Sequence, residues 1–106
     1  IFFWECMTQP LERIDQRLVQ FREAGLFDRA KGMLIGKIRD MEDNIVKDMT
    51  GEIRDVVLEV TEEFDFPIIS CMDFGHCTPN LPFPMWLKAR VDTEGTRVWI
   101  SEPYVK

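Results

Sequence analysis

Apolar residues near the start of the chain change their spacing, and that change narrows the fold more than any other feature. Ile1-Phe-Phe-Trp4 is an unbroken apolar run that breaks at Glu5. A strand without polar alternation is one covered on both faces, the habit of parallel sheets. The next apolar residues, Leu11, Ile14, Leu18 and Phe21, return at three- and four-residue intervals. That spacing lays one apolar stripe along a helix of about four turns. Thr8 or Gln9 can cap this helix, Pro10 suits its first turn and Gly25 its stop.

The same succession continues. "KGMLIGKI" (31–38) reads as a second strand, with Gly32 and Gly36 allowing close approach of backbone or ligand. The polar stretch after it reads as a connecting loop, with at most one helical turn, up to Thr50. Thr50 caps a second helix over 51–64, whose buried face is Ile53, Val56, Val57, Val60 and Phe64. A third strand is predicted at 67–72, because Pro67 fits only a strand's first position. Strands at 85–91 and 97–102 come next, joined by a turn at 92–95. The fold class is therefore α/β. It is a β-α-β-α-β parallel sheet made by two right-handed crossovers, with a C-terminal hairpin that extends it or covers its open face.

The length, 106 residues, suits one domain with a single core. No apolar run approaches the roughly 20 residues of a membrane span. The formal charge of −6 argues against nucleic acid, which needs clustered Lys and Arg. Acidic and basic residues are mixed, as on solvated helix faces. Three cysteines, Cys6, Cys71 and Cys77, cannot all pair within one chain and lack the spacing of a secreted disulfide scaffold. They point to a reducing compartment. The chain opens on a strand with no initiator methionine, the pattern of a piece of a longer protein, so the lack of a leader says nothing of the parent.

Chemistry in such a sheet collects beyond the carboxyl ends of its strands. Glu5 ends the first strand, and His76, the only histidine, lies after the third in the stretch "DFGHCTPNLPFP" (73–84). A carboxylate there can accept from one ring nitrogen and leave the other to take a proton. The plain alternative is a surface charge and a hydrogen-bonded structural histidine. Neither Ser70 nor Ser101 sits in a nucleophile elbow. Cys6, Cys71, His76 and Cys77 could converge on zinc, but the paired spacing of structural zinc ligands is absent. Cys77 adjoins His76 directly, so the two side chains point apart and make a poor nucleophile–base pair. Cys6 and Cys71 read as small buried hydrophobes, and Trp4, Trp86 and Trp99 as core. Gly32 and Gly36 make no phosphate-binding fingerprint. The residues alone leave three readings open: a hydrolytic pair, a non-catalytic interaction module, or a small zinc-binding domain.

Taken together, "FWE" (3–5), "ERIDQRLVQFREAGLFDRAKGMLIGKI" (12–38) and "FGHCTPNLPFP" (74–84) resemble the C-terminal domain of the LD-carboxypeptidase family. That family of serine peptidases includes muramoyl-tetrapeptide carboxypeptidases and microcin-C self-immunity peptidases. The resemblance implies a swivelling-type C-terminal domain, with an N-terminal domain that carries the nucleophilic serine and the oxyanion hole. It implies that Glu5 and His76 complete a Ser-His-Glu triad at the seam between domains. It further implies a cytoplasmic, homodimeric parent with no metal or organic cofactor, acting on a muropeptide or a peptidyl-nucleotide. The chain departs from the family at Trp86, where glycine is usual. A seam between domains is packed in the parent, so apolar surface is expected around Trp4, Phe74 and Phe83.

Overall fold

Each strand of the main sheet serves two cores, and this explains its unbroken apolar runs. The computed structural model describes residues 1–7, 9–39, 46–47, 51–82, 84–103 and 105. The elements are β1 (Phe2–Trp4), α1 (Leu11–Glu23), β2 (Met33–Gly36), β3 (Ile38–Arg39), β4 (Val46–Lys47), α2 (Glu52–Val60), β5 (Ile68–Met72), β6 (Ala89–Asp92) and β7 (Arg97–Ile100). β1, β2 and β5 form a parallel sheet in that order. Phe2, Trp4, Met33, Ile35 and Ile68 meet Ile14, Leu18, Val57 and Val60 of the two helices. The intervening Phe3, Leu34 and Ile69 pack instead with Phe74, Val91 and Val98. Both helices thus lie on one face, and the β6–β7 hairpin is a separate sheet covering the other. Met33, Leu34 and Ile35 of the central strand are fully buried.

Phe27 anchors the helical face, 1% exposed and ringed edge-on by Phe2, Phe64 and Phe66 at 5.1, 5.7 and 6.3 Å between centroids. α1 starts at Pro10 itself, whose carbonyl accepts from Arg13 and Ile14 amides at 2.9 and 3.3 Å. No side chain caps the helix, and Thr8 lies outside the described residues. The helix ends in a Schellman motif: Gly25 N–H donates to Arg22 O and Leu26 N–H to Phe21 O.

Several predicted bounds shift for physical reasons. The second strand stops at Gly36, and Ile38–Arg39 turns away to pair antiparallel with Val46–Lys47. A short hairpin therefore replaces much of the expected polar loop; 40–45, with the Thr50 cap, lie outside the described residues. α2 ends at Val60, where Thr61 Oγ1 bonds back to the Val57 carbonyl at 2.7 Å. Phe64 reaches the core from beyond the helix rather than on it. β6 begins only at Ala89, because Trp86 takes φ +65° and breaks the extended run. Trp86 and Trp99, read as core, are 97% and 41% exposed, and Arg90 lies over the Trp99 ring at 5.8 Å. Cys6 and Cys71 are half-buried, and Cys77 is the buried thiol.

Candidate functional site

The site forms where three chain segments cross at the carboxyl rim of the sheet. Glu5 leaves β1, Gly36 ends β2, and 73–76 leave β5. β5 carries one residue more than its partner between the pairs Leu34–Ile69 and Gly36–Met72, and Cys71 takes φ +60° there. A bulge of this kind bends a strand and re-aims the residues beyond it. Here Phe74 drops onto Leu34 and Ile69 and meets Phe3 edge-on at 5.9 Å, which sets Gly75 and His76 above Glu5.

Glu5 and His76, 71 residues apart, are in contact. His76 Nδ1 lies 2.8 Å from Glu5 Oε2. A carboxylate only accepts, so Nδ1 donates and Nε2 is left as the ring's acceptor. Among the described residues nothing bonds Nε2, and the imidazole is 54% exposed against 27% for Glu5.

Two glycines make room for this contact. A Cβ on Gly36 would stand 2.6 Å from the Phe74 carbonyl oxygen and 2.9 Å from Glu5 Cβ. A Cβ on Gly75 would stand 2.7 Å from Glu5 Oε2, the atom that holds His76. Gly75 also has φ +106°, which side chains rarely tolerate. Its amide donates to Asn80 Oδ1 at 3.2 Å, and Leu81 N–H donates to the Asp73 carbonyl at 2.7 Å, closing the loop on itself. Lys37 Nζ pairs with Asp73 Oδ1 beneath it, and this hydrogen bond raises the lysine pKa. Sequence reasoning named Gly36 and the stretch Asn80-Leu-Pro82 as a rigid loop able to position groups, but missed Gly75 and the Lys37–Asp73 pair. A glycine directly before the lone histidine was the available signal.

Cys77 turns inward, its thiol against the Phe74 and Pro79 carbonyl oxygens, so it does not face the imidazole as a nucleophile. Burial, then the neighbouring Glu5 charge, pushes the Cys6 thiol up to about 11. Among the described residues no three His, Cys, Asp or Glu side chains converge to hold a metal ion. Ser101 donates to the Lys88 carbonyl in the hairpin at 3.1 Å, and Ser70 lies within β5. A cleft of about 450 Å³ opens beside Glu5 along α1. The exposed apolar surface differs from expectation: Phe74 is 6% exposed, Trp4 is half-buried with Nε1–H on Met33 Sδ, and Phe83 lies outside the described residues. Leu81, Met85 and Trp86 are exposed instead. Among the described residues no helix is long and apolar enough to cross a membrane.

Residues 1–91 match the protein family described as the LD-carboxypeptidase C-terminal domain. Comparison with curated proteins gives no match. Among solved structures, the microcin C7 self-immunity protein MccF, in its wild-type apo state, is similar with a TM-score of 0.79 at 20% identity. The likeness, one of fold, covers 98% of this chain and 30% of that one.

Proposed function

The chain belongs to the LD-carboxypeptidase C-terminal domain family, and on that premise we propose that Glu5 and His76 are the acid and base of a Ser-His-Glu triad. The serine and the oxyanion-hole donors come from an N-terminal domain outside these 106 residues. The parent hydrolyses an amide near a peptide's carboxyl end. Its substrate class is an L,D-linked muropeptide. A peptidyl-nucleotide is the alternative, supported by the likeness to a microcin self-immunity protein. It works in the cytoplasm as a homodimer.

One observation carries this reading: the 2.8 Å bond from His76 Nδ1 to Glu5 Oε2, with Nε2 free of partners among the described residues. In the mechanism, Glu5 holds the ring in one tautomer and stabilises the imidazolium. Nε2 takes the serine proton as the hydroxyl attacks, then gives it to the leaving amine. The 106-residue chain alone, lacking the nucleophile, is inactive under this proposal.

The test uses the full-length protein and an L,D-tetrapeptide, with released D-alanine read by mass spectrometry. His76→Ala is expected to lower turnover by about 10⁴-fold or more, and Glu5→Gln by a comparable order. Unchanged turnover in His76→Ala overturns the assignment.

A further inference from the structure

The cleft beside Glu5 combines features that the triad does not use. Its floor is apolar, formed by Trp4, Ile14, Leu18 and Phe21. Its rim is polar and cationic, carrying Gln9, Arg13 and Arg17. Arg13 and Arg17 are four residues apart on α1, so they are neighbours on one helix face. Arg13 reaches only Gln9 Oε1, at 3.5 Å, and Arg17 has no ion pair among the described residues. By contrast Arg22 and Arg54 are paired with the acids next to them in the chain, Glu23 at 3.1 Å and Asp55 at 3.7 Å. Two guanidiniums with no ion pair among the described residues therefore stand at one concave surface in a chain of net charge −6.

We propose that this cleft is a carboxylate-binding subsite, in which Arg13 and Arg17 hold the terminal carboxylate of the peptide on which Glu5 and His76 act. The inference rests on the hydrolase reading above and adds the group that selects the substrate's end. Guanidinium is the side chain whose planar donors match a carboxylate two bonds at a time. Glu5 lines the cleft as well as holding His76. An anion seated there lies near a second carboxylate, and the two cations on the rim offset that repulsion. The apolar floor receives a small aliphatic side chain.

The 106-residue chain itself is titrated with N-acetyl-D-alanine and, separately, with its C-terminal amide, while the arginine Nε–H signals are followed by NMR. The acid is expected to shift the Arg13 and Arg17 signals and the amide to leave them in place. Arg13→Gln with Arg17→Gln should abolish the response. In the full-length protein, the same pair of substitutions should lower the preference for acid over amide substrates by about tenfold or more. Equal response to acid and amide, or a response that survives both substitutions, overturns the subsite. An inactive full-length protein would refute the hydrolase reading, whereas the titration judges the cleft on binding alone.

Discussion

Gly75 and Trp86 both hold the chain at positive φ, +106° and +65°, but at opposite ends of the sheet and with opposite consequences. Gly75 lies at the carboxyl rim, where its missing side chain lets Glu5 pass within contact of its backbone and reach His76. Trp86 stands beside a groove lined by Ile1, Phe3, Lys31 and Ile100, at the amino ends of β1 and β2. Its side chain is 97% exposed, so no packing among the described residues compensates its backbone conformation. At one end, positive φ is carried by the residue that adopts it freely and leaves room for the Glu5–His76 contact. At the other, it is carried by a large side chain at a cost of order 1–2 kcal/mol. The Trp86 departure from the family pattern therefore does not disturb the histidine loop, which is braced separately by Asn80 and Asp73.

The strongest way to break this contrast is Gly75→Ala. The new methyl meets Glu5 Oε2 and the backbone must leave its φ, so the Glu5–His76 bond is lost. Under the triad reading, turnover of the full-length protein should fall on the order of 10³-fold, somewhat less than the loss from removing the orienting carboxylate itself. Near-normal turnover with the imidazole displaced, seen in the NMR signals of His76, would separate the contact from catalysis.

A second test asks how dry the same rim is. Cys6 adjoins Glu5, and burial and that charge hold its thiol near 11 against 9.0 in the open chain. Iodoacetamide at pH 8 should then modify Cys6 at least about tenfold more slowly than an unfolded cysteine, since the thiolate is the reactive form. Stability shifts with pH for the same reason. Below pH 9.0 both states keep the proton, and between there and about 11 the unfolded chain releases it first, so stability falls as pH rises through that window. Rapid labelling at pH 8, located by peptide mapping, would show an open rim.

How much of this the sequence reveals depends on the range of the forces involved. The unbroken runs around Phe3 and Leu34 announce strands with two covered faces, and the stripe Leu11–Phe21 announces a helix, because burial is written in local spacing. The meeting of Glu5 with His76 comes from parallel strands sharing one chemical edge. The β3–β4 hairpin is hidden because so short a ladder needs little apolar residue content. The bulge at Cys71 is hidden too, since register is a property of two strands and not of one. That bulge is why Phe74, expected at an open seam, is buried over Leu34. Trp86 reads as core by type alone, and only its backbone angle shows why it is not.

The smallest effect sharpens the comparison from the other side. Trp86→Gly removes a left-handed tryptophan whose side chain makes almost no contact within the chain. Relief of the backbone should stabilise by about 1–2 kcal/mol. Glycine's freedom in the unfolded chain returns roughly 0.5–1 kcal/mol of that. The net gain is then about 0.5–1 kcal/mol, a rise of roughly 2–6 °C in the thermal midpoint of a domain this size, readable by calorimetry on the 106-residue chain. A fall in the midpoint would mean that the indole packs against the groove of Ile1 and Phe3 in solution, and the two positive-φ residues would no longer be opposites. The same substitution in the full-length protein separates a second case. If Trp86 is covered by another part of the parent, the gain seen in the short chain turns into a loss, because a buried tryptophan at an interface contributes far more than the strain it carries.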